Sequence, residues 1–179
     1  MKIYTRKGDD GTTGLLYGGR VAKDDPAPVA YGDVDEAQAV LGVARAGCER
    51  GSELDTMLVG IERDLWVLMA ELATEPANRH KLTAGQNLVT GEMVSALEGL
   101  IDDLSARFEL PAEFVVPGQD PTAALLDLAR TVVRRAERSS VRVVVEGSEA
   151  LAYLNRLSDL LWTMARWQEG DSLTARGSR

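Results

Sequence analysis

The N-terminal segment of the chain carries a dense set of groups that could bind a polyphosphate. From Ile3 to Asp25 it reads IYTRKGDDGTTGLLYGGRVAKDD, and its five glycines allow the backbone to approach a ligand closely. Its threonine hydroxyls, backbone N–H groups and basic side chains are suitable donors to phosphate oxygens. The stretch 14–19 has the GxxxxG spacing of a P-loop, but Arg20 and Val21 replace the Lys and Ser or Thr that this motif requires. A P-loop is therefore excluded, and a solvated arm remains the alternative to a phosphate site.

A second candidate is the arginine-rich stretch ARTVVRRAERS, which begins at Ala129. Arg130, Arg134 and Arg138 recur every four residues, which puts them on one face of a helix, where like charges repel. Glu137 is the only acidic residue among them. A solvated basic face is the commoner meaning of such a run, but the interleaved alanines and valines predict a partly buried helix, where unpaired arginines are costly. We therefore expect acidic neighbours or an anionic ligand.

Two shorter stretches offer polar groups on predicted helices. The sequence YLNRLSDLLW starts at Tyr153, and the amide of Asn155 can both donate and accept, as recognition of a nucleotide requires. Hydrogen bonding between helices is the simpler explanation of Asn155. The sequence YGDVDEAQA places Asp35 and Glu36 in what we expect to be the first turn of a helix, where acidic residues suit the helix dipole.

Apolar residues recur every three or four positions along most of the chain, and this periodicity identifies the elements that must position these groups. Asp120 can cap a helix that starts at Pro121, and Gly147 with Ser148 marks a break. The pattern predicts five helices, over about 33–46, 54–72, 93–108, 120–145 and from 151 onwards. Because the connections are short, we expect an all-α fold, a five-helix antiparallel bundle with a glycine-rich N-terminal arm. The predicted organisation is one domain over 1–179, with the arm at 1–25, the bundle at 26–169 and a disordered tail at 170–179.

The composition excludes several classes of function. The 179 residues carry 20 Lys and Arg against 28 Asp and Glu, and this net charge of −8 argues against nucleic acid as the main partner. Hydrophobic residues make up 45% of the chain, which is typical of a globular protein, yet no apolar run approaches the ~18 residues that span a membrane. The single cysteine, Cys48, excludes a disulfide framework, and the single histidine, His80, excludes a histidine cluster. The polar N-terminus does not resemble a signal peptide, so we expect a cytoplasmic protein.

Taken in order, five segments resemble the PduO-type ATP:cob(I)alamin adenosyltransferases, a family of corrinoid adenosyltransferases. The matching strings are IYTRKGDDGTTGLLYGGRVAKDD, YGDVDEAQA, FVVPGQDP, ARTVVRRAERS and YLNRLSDLLW, spread from Ile3 to Trp162. The resemblance implies a ferritin-like, cobalamin adenosyltransferase-like bundle that assembles as a homotrimer with active sites between subunits. It also implies the reaction: the 5′-deoxyadenosyl group of ATP moves to the cobalt of reduced cobalamin, and triphosphate leaves. ATP, cobalamin and Mg²⁺ are the implied ligands.

The same resemblance implies roles for individual residues. Its ATP contacts match Thr5, Arg6, Lys7, Gly8, Thr13, Gly14, Lys23, Arg134, Arg135, Glu137, Arg138 and Asn155. We expect Arg134 to stabilise charge on the departing triphosphate, and Glu137 to hold Mg²⁺ or to order the arginines. Asp35 and Arg130 match a pair whose salt bridge shapes the site, and they complete the predicted catalytic set. Phe114 matches an aromatic residue that packs against the lower face of the corrin, and a core plug at the end of the bundle is the alternative.

The chain departs from the family pattern on the cobalamin side. Ala37 and Gln38 stand where Leu and Asn are common, and Gln119 replaces the second glycine of a Pro-Gly-Gly sequence. The implied partners are a reductase that supplies reduced cobalamin and a cobalamin-dependent acceptor enzyme. Two other functions compete with catalysis: a carrier that delivers adenosylcobalamin to such an enzyme, and a structural bundle without a ligand. The complete triphosphate site favours an enzyme, since a carrier has no need of it.

Overall fold

A bundle of α-helices forms the body of the computed structural model, which describes residues 3–176. Within these residues five α-helices follow one another: α1 (Pro26–Ala46), α2 (Glu53–Leu72), α3 (Gly91–Ser105), α4 (Pro121–Ser140) and α5 (Ala150–Glu169). α4 packs against both α1 and α5, while α2 packs on α1 and α3 packs on α5. The predicted all-α bundle is confirmed, and the arginine-rich stretch lies on α4. None of the described helices is long and apolar enough to cross a membrane.

The core is built from the apolar stripes that the helical periodicity predicts. On α2 the buried positions recur every three or four residues, and they include Leu54, Leu58, Ile61, Leu65, Leu68 and Leu72. On α4 the residues between the arginines are buried as well, namely Ala129, Val132, Val133 and Ala136. Burial at this spacing turns most of the arginines of α4 away from the core.

Three helix boundaries differ from the prediction. α1 begins at Pro26 rather than near 33, because proline suits the first helical position and the extended Asp25 precedes it. The prediction that Asp35 and Glu36 lie in the first turn is therefore wrong, since both lie in the interior of α1. α4 ends at Ser140 rather than near 145, since a run of β-branched valines lowers helix propensity before the break at Gly147. α3 ends at Ser105, short of the predicted 108. The loss of the last turn of α4 leaves a longer connection to α5.

The N-terminal segment contains a short β-hairpin that the helical periodicity did not indicate. β1 (Thr12–Gly14) pairs antiparallel with β2 (Arg20–Ala22), with Thr13 opposite Val21. In the turn between them Gly18–Gly19 has φ values of 102° and 91°, a region that favours glycine. Residues 12–22 of the predicted arm therefore form a hairpin.

A buried carboxylate ties together the connections at one end of the bundle. Glu71, near the end of α2, is 4% exposed and lies 2.7 Å from Nη1 of Arg79, which belongs to a 3-10 helix (Pro76–Lys81). Glu71 also accepts from the Val89 N–H at 2.8 Å and from the Ser148 hydroxyl at 2.5 Å. The loops after α2, before α3 and before α5 thus share one anchor.

The chain after α5 lies beside the segment that precedes α4. Val115 and Thr174 form an antiparallel bridge, and two backbone hydrogen bonds of 2.7 Å flank it. Residues 171–176, which we call the C-terminal strap, therefore differ from the expected disordered tail, because they satisfy backbone groups of the 114–116 segment. Residues 177–179 of the predicted tail lie outside the described part of the chain.

Candidate functional site

The side of α4 that faces away from the core presents guanidinium groups in two different states. Arg134 and Arg138 are exposed, and neither forms an ion pair within residues 3–176. Arg135 instead donates to Glu36 of α1, and its Nε lies 3.5 Å from Asp33 Oδ1. The hydrogen bond to Glu36 is the main reason that the pKa of Arg135 is raised above its usual value. We expected either acidic neighbours or an anionic ligand for these arginines. Acidic neighbours pair with Arg135, whereas Arg134 and Arg138 are available to an anion.

Glu137 and Asn155 meet where α4 packs against α5. Asn155 Nδ2 donates to Glu137 Oε1 at 3.2 Å, so the simpler expectation of a bond between helices is met. Within residues 3–176, the Asn155 oxygen receives only a long contact of 3.5 Å from Arg156, and the residue is exposed. Glu137 lies three residues after Arg134 on α4, which places both on neighbouring turns. A carboxylate, an amide and a free guanidinium therefore share one surface.

The start of the arm is organised around Asp10. Thr12 donates to Asp10 Oδ1 from its backbone N–H at 3.0 Å and from its hydroxyl at 2.8 Å, and these bonds lower the pKa of Asp10. Arg20 donates to the Thr12 hydroxyl and to the Lys7 carbonyl oxygen. The Lys7 side chain and the two side chains before it, Thr5 and Arg6, remain exposed.

Gly8 and Lys23, two of the predicted ATP contacts, are neighbours in space. A Cβ at position 8 would lie 3.2 Å from Lys23 Nζ and 3.2 Å from the Thr12 carbonyl oxygen. Any larger side chain would therefore displace the ammonium group. The Lys23 N–H donates to the Gly11 carbonyl oxygen at 2.9 Å, which continues the pairing of the hairpin strands.

The hairpin is fixed to the bundle at its turn and approaches α4 at its base. In the turn, the Leu16 N–H donates to the Ala73 carbonyl oxygen at 2.9 Å, and Asn87 donates to the Tyr17 hydroxyl at 2.7 Å. At the base lies a cavity of about 330 Å³, lined by Asp24, Pro26, Val29, Arg138, Ser139 and Arg142. Asp24 at the end of the arm and Arg138 of α4 thus line the same cavity.

A second cavity, of about 630 Å³, lies between the 112–117 segment, α4, α5 and the end of the C-terminal strap. We call it the Phe114 cavity, and its wall includes Phe114, Pro117, Arg130 and Trp162. The Phe114 side chain is 90% exposed, so it is not a plug of the core. Arg130 lies one turn before Arg134 on α4, so this helix connects the Phe114 cavity to the free guanidinium groups.

The floor of the Phe114 cavity holds charged residues that sequence reasoning missed. Arg166 is 2% exposed, and its Nη2 donates to Asp127 Oδ2 at 2.5 Å. Its Nη2 also donates to Glu169 Oε2 at 3.3 Å, while its Nε lies 2.9 Å from Glu169 Oε1 without forming a hydrogen bond. Arg166 also lies 5.8 Å from the centre of the Trp162 ring. The sequence does contain a signal for this site, because Arg166 follows Trp162 by four residues and lies beside the apolar stripe of α5.

The expected pair of Asp35 and Arg130 does not form within the described part of one chain. Asp35 is exposed on α1, whereas Arg130 Nε lies 3.4 Å from Asp127 Oδ1. Asp127 forms an ion pair with Arg130 because it lies three residues earlier on the same helix. Gln38, one of the departures from the family pattern, donates to the Glu62 carbonyl oxygen at 2.8 Å and so joins α1 to α2.

Comparisons with known proteins agree with one another. A family model described as cobalamin adenosyltransferase matches residues 3–168. A corrinoid adenosyltransferase of Citrobacter freundii is 43% identical over 171 residues, covering 94% of this chain and 95% of that protein. A corrinoid adenosyltransferase of Mycobacterium tuberculosis is 40% identical over 188 residues, covering 97% and 96%. Among solved structures, a variant PduO-type ATP:corrinoid adenosyltransferase from Lactobacillus reuteri, complexed with cobalamin and ATP, matches with a TM-score of 0.87 at 30% identity, covering 99% of this chain and 98% of that chain.

Proposed function

Because the chain belongs to the cobalamin adenosyltransferase family, we propose that it transfers the 5′-deoxyadenosyl group of ATP to the cobalt of cob(I)alamin. One observation carries the proposal: α4 contributes Arg130 to the Phe114 cavity and, one turn later, the free guanidinium of Arg134. A corrinoid and a triphosphate can therefore bind at adjacent positions along one helix. In the transfer, the cobalt electron pair forms the Co–C5′ bond, the C5′–O bond breaks, and triphosphate leaves with that bond's electrons.

On the ATP side, the arm and α4 supply the groups that a triphosphate requires. We assign the arm contacts to Thr5, Arg6, Lys7, Gly8, Thr13, Gly14 and Lys23, and those of the bundle to Arg134, Arg135, Glu137, Arg138 and Asn155. The two free arginines act as donors to the phosphates, and Arg134 stabilises the charge that develops on the leaving group. Arg135 differs from these two, because Glu36 and Asp33 already contact its guanidinium, so its proposed contact with ATP is made by a group that two carboxylates hold in place.

We assign Mg²⁺ to the triphosphate rather than to a site built from protein ligands alone. Within residues 3–176 no three His, Cys, Asp or Glu side chains are grouped to hold a metal ion. Mg²⁺ is commonly bound through one or two carboxylates together with substrate phosphates, and it keeps several waters. Glu137 fits that role, because it lies beside Arg134 and only its Oε1 is engaged, by Asn155.

On the corrinoid side, the Phe114 cavity supplies an apolar wall and a charged floor. We propose that the Phe114 ring faces the lower side of the corrin and keeps a base from ligating the cobalt there. A four-coordinate cob(II)alamin is then easier to reduce to the nucleophilic +1 state. The exposure of the ring supports this role, since an unpacked aromatic side chain is available to a large planar ligand.

We further propose that three chains assemble and that each active site lies between two of them. Asp35 is exposed on α1 and has no ion-pair partner among the described residues, so a neighbouring chain can supply Arg130 to it. A reductase and a cobalamin-dependent acceptor enzyme are the proposed partners. A cytoplasmic location suits a chain with one cysteine, Cys48.

The direct test mixes the protein with ATP, Mg²⁺ and chemically reduced cobalamin. Formation of adenosylcobalamin is followed by absorbance, and inorganic triphosphate is measured in the same samples. We expect equal amounts of the two products. Tight corrinoid binding without turnover would support the carrier instead. If the protein showed no binding and no turnover, only the structural bundle would remain.

A further inference from the structure

Two charged residues beside the Phe114 cavity, Arg166 and Glu169, have no role in the chemistry described so far. Arg166 lines the cavity together with Asp127 and Arg130, and Glu169 lies behind it, so two carboxylates balance two guanidinium groups. The Arg166 side chain is 2% exposed, and the Glu169 side chain is fully buried. Desolvation of such a cluster offsets much of its electrostatic gain, so burial of ions is weak evidence for a role in stability. A role in holding the cavity in shape explains it better.

The cluster is connected to the C-terminal strap. Glu169 is the last residue of α5, and its Oε1 accepts from the Ser172 hydroxyl at 2.6 Å. The same oxygen lies 2.9 Å from Arg166 Nε. Arg166 therefore holds the carboxylate that binds Ser172 at the start of the strap, directly after Gly170, whose φ of 70° redirects the chain.

The strap in turn holds the backbone at Phe114. The Ala175 N–H donates to the Phe114 carbonyl oxygen at 2.7 Å, and the Val116 N–H donates to the Leu173 carbonyl oxygen at 2.7 Å. The Phe114 ring is 90% exposed, so packing against the protein does little to fix its direction. The direction of the ring depends mainly on the backbone of the 114–116 segment.

We infer that Arg166 is a positioning residue for the corrinoid half of the reaction, acting through Glu169 and the strap to aim Phe114 into its cavity. This inference rests on the proposed function. Arg166 touches neither the reacting carbon nor the triphosphate in this proposal. Its loss should therefore change the use of cobalamin and leave the use of ATP almost unchanged.

The first experiment measures steady-state kinetics of Arg166→Lys with each substrate varied in turn. Lysine keeps the charge but cannot bridge Asp127 and Glu169 as the planar fork does. We expect the KM for cob(I)alamin to rise about tenfold or more, as for the loss of a charge-assisted hydrogen bond, with the KM for ATP within about twofold. In the cob(II)alamin complex with ATP, the electron paramagnetic resonance signal of the four-coordinate species should fall.

A second variant tests the connection without disturbing the buried charges. Ser172→Ala removes only the hydroxyl that donates to Glu169, and it should move the same two readouts in the same direction by a smaller factor. It keeps the inference testable if Arg166→Lys fails to fold. Arg107→Lys is the matched control for Arg166→Lys, because Arg107 also contacts two carboxylates, Glu53 and Asp103, but lies outside both cavities.

A double-mutant cycle with Phe114→Ala separates positioning from general stability. If Arg166 acts through the ring, Arg166→Lys should have little further effect on the KM for cobalamin once the ring is absent. Equal effects in both backgrounds, or equal changes in the KM values for cobalamin and ATP, would overturn the inference. An inactive wild-type protein would refute the proposed function itself, whereas an active wild type with unaltered variants would refute only the role of Arg166.

Discussion

Arg134 and Arg135 are adjacent in sequence but differ in what occupies their guanidinium groups. Glu36 and Asp33 bind Arg135, while Arg134 is exposed and has no ion-pair partner in the described part of the chain. Donors that no other group occupies can all be directed at the charge that develops in a transition state. At the scale of single residues, Arg134 therefore carries the proposed stabilisation of the leaving triphosphate.

Replacing Arg134 with Lys should lower kcat more than about tenfold, because lysine keeps the charge but loses the planar fork of donors. Circular dichroism should show an unchanged fold, since the Arg134 side chain is exposed. The measurement is kcat with saturating ATP and cob(I)alamin, and Arg107→Lys serves as the control. A well-folded Arg134→Lys variant with near-normal kcat would remove Arg134 from the transition state.

Phe114→Ala should leave the stability of the protein almost unchanged but impair the reduction of bound cob(II)alamin. A ring that is 90% exposed leaves no cavity when it is removed, so the free energy of unfolding should change by less than about 0.5 kcal/mol. Activity starting from cob(II)alamin should fall, and supply of cobalamin already in the +1 state should restore much of it. Val116→Ala, two residues along the same segment, is the control. Equal loss of activity with both oxidation states would contradict the assignment of Phe114 to the lower face.

At the scale of elements, α2 and α5 are joined by a hydrogen bond that makes stability depend on pH. The buried Tyr153 of α5 donates to Asp64 Oδ2 of α2 at 3.0 Å. Burial raises the pKa of Asp64 above its ordinary value, and the bond from Tyr153 opposes this only in part. Ionisation of Asp64 is therefore easier in the unfolded chain, so it favours unfolding at neutral pH.

Asp64→Asn should raise the melting temperature at pH 7, because the amide can still accept from Tyr153 but carries no charge to desolvate. The difference from the wild type should shrink as pH falls through the raised pKa, since Asp64 then becomes protonated. Thermal unfolding between pH 4 and 8 measures this, with the exposed Asp102→Asn as the control. If the difference in melting temperature between the variant and the wild type did not change with pH, the ionisation of Asp64 would not be its cause.

At the scale of the whole molecule, the proposed trimer predicts that two inactive variants can restore activity to each other. Light scattering should give the mass of three chains. Lys23→Ala in the arm and Arg134→Ala on α4 should each abolish most activity. If each site combines the arm of one chain with α4 of its neighbour, mixed trimers of the two variants contain some intact sites, so activity should reappear after mixing and reassembly. No recovery in confirmed mixed trimers would place the whole site within one chain.

The helices and the basic face of α4 could be predicted from the sequence alone. The stripe from Leu54 to Leu72 and the alternation of arginines with alanines and valines on α4 depend only on neighbours three or four residues away. Local spacing fixes which face of a helix is buried, so five helices and a basic face could be predicted. The family resemblance rested on the same short stretches. The hairpin was missed because its strands are only three residues long and its turn is anchored by Asn87, far along the chain.

Tertiary structure alone decided which charges are free, which are buried and where Phe114 lies. Arg166 meets Asp127 across 39 positions of sequence, and Arg135 meets Glu36 across 99. The strength of such pairs depends on separation in space and on exclusion of water, and neither quantity is encoded in the spacing of residues on one helix. For the same reason the exposure of Phe114 and its attachment to the strap became visible only once the two ends of the fold lay side by side.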